Sequence, residues 1–141
     1  MTPETIAQAM TEITALFINV WGTRPCDYPN VAFKIKDVSE KEAWARFRLQ
    51  HNEGGQRTLA GNDGKSRHGR KGNVIVEVHS PIGTGVKDAY ALAESVKNAF
   101  EGKRTASGVW FRNVRINEVN DTTLLWYPIV VIADFDYEQY N

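Results

Sequence analysis

Residues 69–85 read Gly69-Arg-Lys-Gly72, Asn73-Val-Ile-Val-Glu-Val-His79, Ser80-Pro-Ile-Gly-Thr-Gly85, a passage from a glycine-punctuated basic stretch into a strand and then through a turn towards a helix. Val74, Val76 and Val78 occupy alternate positions, which gives the strand one buried face. After the turn the period lengthens. From about Gly85 to Glu101, Val86, Ala89, Tyr90, Ala93, Val96 and Phe100 recur at three- and four-residue spacing, the signature of an amphipathic helix. Thr84 suits its cap, and Gly102 suits its termination.

Upstream, residues 42–50 alternate as well. Ala43, Ala45, Phe47 and Leu49 point one way, and Glu42, Trp44, Arg46, Arg48 and Gln50 the other, so Trp44 is expected on the polar face beside two arginines. Between these strands, His51 to Gly72 shows no apolar period and carries six glycines, at 54, 55, 61, 64, 69 and 72. This reads as a flexible loop over about 51–72, long enough in a small domain to suggest function. Its charges are Arg57, Lys65, Arg67, Arg70 and Lys71 against Glu53 and Asp63, a local excess of three positive charges.

Before the alternating stretch, Val31–Lys36 reads as a short strand, and Asn19–Pro29 as irregular chain broken by Gly22, Pro25 and Pro29. Residues 3–18 read as a helix capped by Thr2, with Ile6, Met10, Ile13 and Phe17 on its apolar stripe. Downstream, strands are expected at Val109–Val119 and Leu124–Tyr137, joined through Asn120-Asp121-Thr122. Pro128 indicates an edge position or a bulge in the last strand. The order α-β-β-β-α-β-β predicts one α+β domain over residues 1–141, with a mainly antiparallel sheet of about five strands and two helices on one face.

The 141 residues suffice for one core. Seventeen Lys and Arg balance seventeen Asp and Glu, so no global field draws the chain to nucleic acid or membrane, and any electrostatic role is local. No segment approaches the roughly 18 continuous apolar residues of a membrane span. Glu4 stands where a signal peptide carries basic residues, and the expectation is a soluble, unprocessed protein. A single cysteine, Cys26, cannot form an internal disulfide; it suits a reducing cytoplasm and is expected as a small, partly buried side chain.

Chemical motifs are weak. Gly83-Thr-Gly85 meets Asp88 where a dinucleotide-binding turn needs its third glycine, so no cofactor is expected. Histidines 51, 68 and 79 have no metal-ligand spacing, and no serine has a nucleophile-elbow context. Asp134, Asp136 and Glu138 share a parity at the end of the last strand. They read as a solvated strand end, as an acid–base or metal pair, or as an acidic inter-subunit surface that receives the basic loop of a neighbouring copy. The basic 57–71 loop reads as a protein-contact loop, with nucleic-acid binding as the alternative; it lacks an aromatic residue for base stacking.

Gln56-Arg-Thr-Leu-Ala-Gly61, Gly69-Arg-Lys-Gly72 leading into Val74–Val78, Ser80-Pro81 and Gly83-Thr-Gly85, with Ala91-Leu-Ala-Glu94 through Phe100-Glu-Gly102 and the final Phe135-Asp-Tyr137, resemble the bacteriophage tail terminator-like (tail completion) family. The resemblance implies a structural, non-enzymatic virion protein without a cofactor. Its subunits would form a homo-hexameric ring on the tail tube, stop tail polymerisation and offer a head-joining surface. The implied partners are further copies of the chain, the tail-tube protein and the head–tail connector; the implied location is the virion tail, and the host cytoplasm during assembly. Arg57, Lys65, Arg67, Arg70 and Lys71 are then the expected subunit or tube contacts, with Trp44, Arg46 and Arg48 beside them.

Overall fold

A computed structural model describes residues 5–34, 38, 42–56, 67–83, 86–119 and 126–140. Helix α1 runs Ile6–Trp21. Thr5 caps it, its hydroxyl accepting the Gln8 amide at 3.0 Å, which replaces the expected cap at Thr2, a residue outside those described. The buried stripe is Ala9, Ile13, Phe17 and Trp21, at strict four-residue spacing; Ile6 is left on the outer side. Helix α2, Val86–Phe100, buries Ala89, Ala93, Val96, Ala99 and Phe100. Gly102 follows at φ +70°, a left-handed conformation that suits a glycine just past a helix end.

Among the described residues five strands form one sheet in the order β1-β2-β3-β5-β4: β1 Cys26–Asp27, β2 Trp44–Gln56, β3 Arg67–Pro81, β4 Trp110–Glu118 and β5 Trp126–Tyr140. Only the two-residue β1 runs parallel to its neighbour; every other pairing is antiparallel. The expected element order α-β-β-β-α-β-β and the α+β class hold. The first strand, however, lies at 26–27 and not at 31–36, of which the described residues 31–34 are not in a strand. Ala45 fixes this pairing by donating its amide to the Pro25 carbonyl at 3.1 Å.

The register sets one apolar face. Ala45, Phe47 and Leu49 lie opposite Val78, Val76 and Val74, which in turn lie opposite Ile129, Val131 and Ala133. Both helices cover this face. Phe17 sits 5.0 Å from Phe47 and 5.7 Å from Trp21 in stacked pairs, each worth about 0.5–1.5 kcal/mol beyond the area it buries.

The expected loop over 51–72 is largely ladder. His51 to Gln56 pair with Gly72 to His68 across a bulge between His51 and Glu53, while residues 57–66 lie outside those described. Gly72 explains the missing apolar signal. A Cβ there would fall on the Gln50 carbonyl oxygen and 2.6 Å from the Phe135 ring, so β5 supplies the side-chain volume that β3 lacks. Pro128 belongs to a central strand, yet β4 begins its pairing only at Glu118↔Ile129, so β5 is locally open on that side at the proline. The expected turn at 120–122 and the Thr84 cap lie outside the described residues.

Candidate functional site

Alternation along β2, β3, β5 and β4 sends a second set of side chains to the face without helices. Across it, Arg48, Ile75, Ile132 and Arg115 form one row. Arg46, Glu77, Val130 and Asn117 form the next. Ile75, Val130 and Ile132 are half-buried at the centre beside Glu77, which pairs with Arg46, and arginines stand on both flanks. An apolar middle with a charged rim is the anatomy of a protein contact surface.

The arginines are internally matched. Asp27, at the end of β1, receives Arg46 at 3.1 Å and Arg48 at 3.0 Å; Arg48 also donates to the Asp27 carbonyl at 2.9 Å. Glu77 stands 3.7 Å from Arg46. On the opposite flank Arg112 contacts Asp136 at 2.6 Å, and Arg115 contacts Asp134 at 3.3 Å. Asn113, at φ +51° in the bulge of β4, adds a bond from its amide to Asp134 at 3.3 Å. Asp134 and Asp136, read from the sequence as a solvated strand end, an acid–base or metal pair or an acidic inter-subunit surface, thus face the chain's own β4 arginines, and Asp136 is buried. Glu138 is half-buried further along β5, opposite Gly69. No sequence signal marked Arg112 and Arg115 as their partners, because the register that joins them passes through the β4 bulge.

Trp44 does lie on the helix-free face, but it is buried rather than presented to a partner. It stacks on His79 at a centroid distance of 4.0 Å and on Phe33 at 5.3 Å, with Trp126 edge-on at 6.0 Å. With Val38 these residues make a second small core at one end of the sheet. Trp126 is anchored by donating its ring N–H to the Glu42 carbonyl at 3.0 Å. Burial, helped by the Arg46 charge, pushes the His79 imidazole down to about 4.

Of the basic loop candidates, Arg70 and Lys71 do not share a face. Arg57 and Lys65 lie outside the described residues, and Arg67 begins β3 opposite Tyr140. Arg70 and Lys71 are successive strand residues and point to opposite faces. Arg70, opposite Tyr137, is on the helix side; burial, and then its charge, hold the nearby His51 imidazole below its ordinary value. His51 Nε2 shares a 2.7 Å hydrogen bond with the Tyr137 hydroxyl. Lys71 is on the helix-free side opposite Asp136. Cys26 is half-buried, and burial pushes its thiol up to about 12, an unreactive state. Among the described residues no group of three or more His, Cys, Asp and Glu side chains could hold a metal ion, and no helix is long and apolar enough to cross a membrane.

A family model described as "Phage tail terminator protein" matches residues 5–123, from the cap of α1 past β4. Among solved structures, one superposes with a TM-score of 0.61 at 18% identity, over 91% of this chain and 94% of that one. Another, titled "Virion of native gene transfer agent (GTA) particle", superposes with a TM-score of 0.50 at 14% identity, over 91% and 92%. At these identities the two structures speak to the fold alone. No curated protein sequence matches the chain.

Proposed function

The chain belongs to the phage tail terminator protein family, and on that premise we propose that it forms a ring on the finished tail tube, stops further polymerisation and presents the surface that joins the head. Membership of this family makes the chain a structural protein of phage assembly. The observation that carries it is the match over residues 5–123, which spans both helices and every strand but the last. A sheet face with an apolar centre and charge-compensated flanks supports the same reading, since such a surface suits a protein neighbour.

The partners of this role are further copies of the chain, the tail-tube protein and a connector, and its work is binding without bond-making. Nucleic-acid binding by the 57–71 segment draws less support. Arg67, Arg70 and Lys71 sit in a paired strand and, for the last two, on opposite faces, so they do not line one phosphate track. Arg57, Arg67, Arg70 and Lys71 remain our candidates for the tube or subunit contact. Silencing this chain during phage assembly and measuring tails by negative-stain microscopy tests the function: tails of uncontrolled length are expected, and tails of uniform normal length would dismiss it.

A further inference from the structure

We propose that in the ring the outward face of α1 on one copy seats on the helix-free sheet face of the next; the inference rests on the ring reading above and names the contact that builds it. The two helices of the covering layer differ in what they show to solvent. α2 exposes Lys87, Asp88 and Glu94, an ordinary solvated face. α1 has one charged residue, Glu12, which turns towards the 105–109 turn, where it accepts from the Ser107 amide at 3.4 Å and from the Ser107 hydroxyl. Its outer side is Ala7, Gln8, Thr11, Ala15, Ile18 and Asn19, uncharged throughout, with Ile6 and Ile18 exposed to 41% and 45%.

The hydroxyls on this face are already spent. Thr11 donates to the Ala7 carbonyl at 2.9 Å and Thr14 to the Met10 carbonyl at 2.7 Å. A shallow groove along Met10, Thr11, Thr14, Ala15 and Ile18, ending at Asn19, is therefore mainly apolar and open, with no charged residue along it.

The occupant follows from charge. Four arginines on the sheet face, Arg46, Arg48, Arg112 and Arg115, meet four carboxylates, those of Asp27, Glu77, Asp134 and Asp136. A charged partner would have to displace one of these pairs, whereas a charge-free helix leaves every pair intact and covers Ile75, Val130 and Ile132. The chain itself carries such a helix. Because α1 lies on the far side of the sheet, one copy cannot satisfy both surfaces itself. The contact is head-to-tail between copies, the arrangement that closes into rings.

Sedimentation equilibrium at high protein concentration tests this with Ala15→Arg on the helix and Ile132→Lys on the sheet, circular dichroism confirming that each is folded. Thr11→Lys, on the exposed turn, replaces Ala15→Arg should the latter unfold. The wild-type chain is expected to associate beyond a dimer. Each variant alone is expected to associate at least about tenfold more weakly, and an equimolar mixture to stop at heterodimers, because each partner retains one intact surface. Undiminished association of Ala15→Arg or of Ile132→Lys alone, or a wild-type chain that stays monomeric, overturns the proposal. Rings that persist in Ala15→Arg would leave the tail-capping role standing with a different contact; normal tails without the chain would remove that role.

Discussion

Trp44 and His79 lie face to face, ring centroids 4.0 Å apart and planes 4° from parallel, on adjacent strands at one end of the sheet. Neither ring nitrogen of His79 has a hydrogen-bond partner among the described residues, although Glu77 Oε1 stands 3.8 Å from Nε2. The imidazole is thus held neutral by burial and by the Arg46 charge, against the pull of one carboxylate.

Stability should therefore depend on pH through His79. Its folded-state value, about 4, lies below the ordinary value of 6.5, so the unfolded chain binds the proton more readily between those limits. The contribution is complete above pH 6.5 and is lost as pH falls towards 4, by about 2–3 kcal/mol. Urea midpoints from pH 7 to 4 should fall more steeply for the wild type than for His79→Gln.

Gly72→Ala should be among the costliest single changes in the sheet. The added methyl meets the Gln50 backbone, which cannot move without parting β2 from β3, and the Phe135 ring. A loss of about 3 kcal/mol or more is expected in denaturant titration. A change within 0.5 kcal/mol would show that the strands do not approach so closely.

The two arginines of β4 should differ. Arg112→Ala leaves the buried Asp136 carboxylate without its 2.6 Å partner, and about 1–3 kcal/mol is expected. Arg115→Ala removes a more exposed contact to Asp134, which still has Arg112 at 4.0 Å, so less than about 1 kcal/mol is expected. Equal losses in thermal or chemical unfolding would contradict this division.

Cys26 should resist thiol reagents in the folded chain, because a thiol raised to about 12 holds almost no thiolate at pH 8. Ellman's reagent should label it orders of magnitude faster in urea than in buffer; similar rates would contradict its burial.

Much of this architecture was legible in the sequence. Val74, Val76 and Val78, and Ala45, Phe47 and Leu49, name the helix-covered face outright, because their volume is carried by the strands themselves. The hairpin end was not legible, because at Gly72 the volume comes from Phe135 of another strand, and glycines with charges read as loop. Trp44 was assigned to the correct face but not to its environment: Phe33, Val38 and Trp126, which bury it, are remote in sequence or follow no period. The ion pairs of Asp134 and Asp136 depend on where β4 bulges, at Asn113, which composition does not encode.

The most direct test of the proposed function is to add the purified chain to growing tail tubes and image them by electron microscopy. A ring at one end of each tube and an arrest of growth is the expected result. Tubes that keep lengthening with no added density at their ends would contradict it.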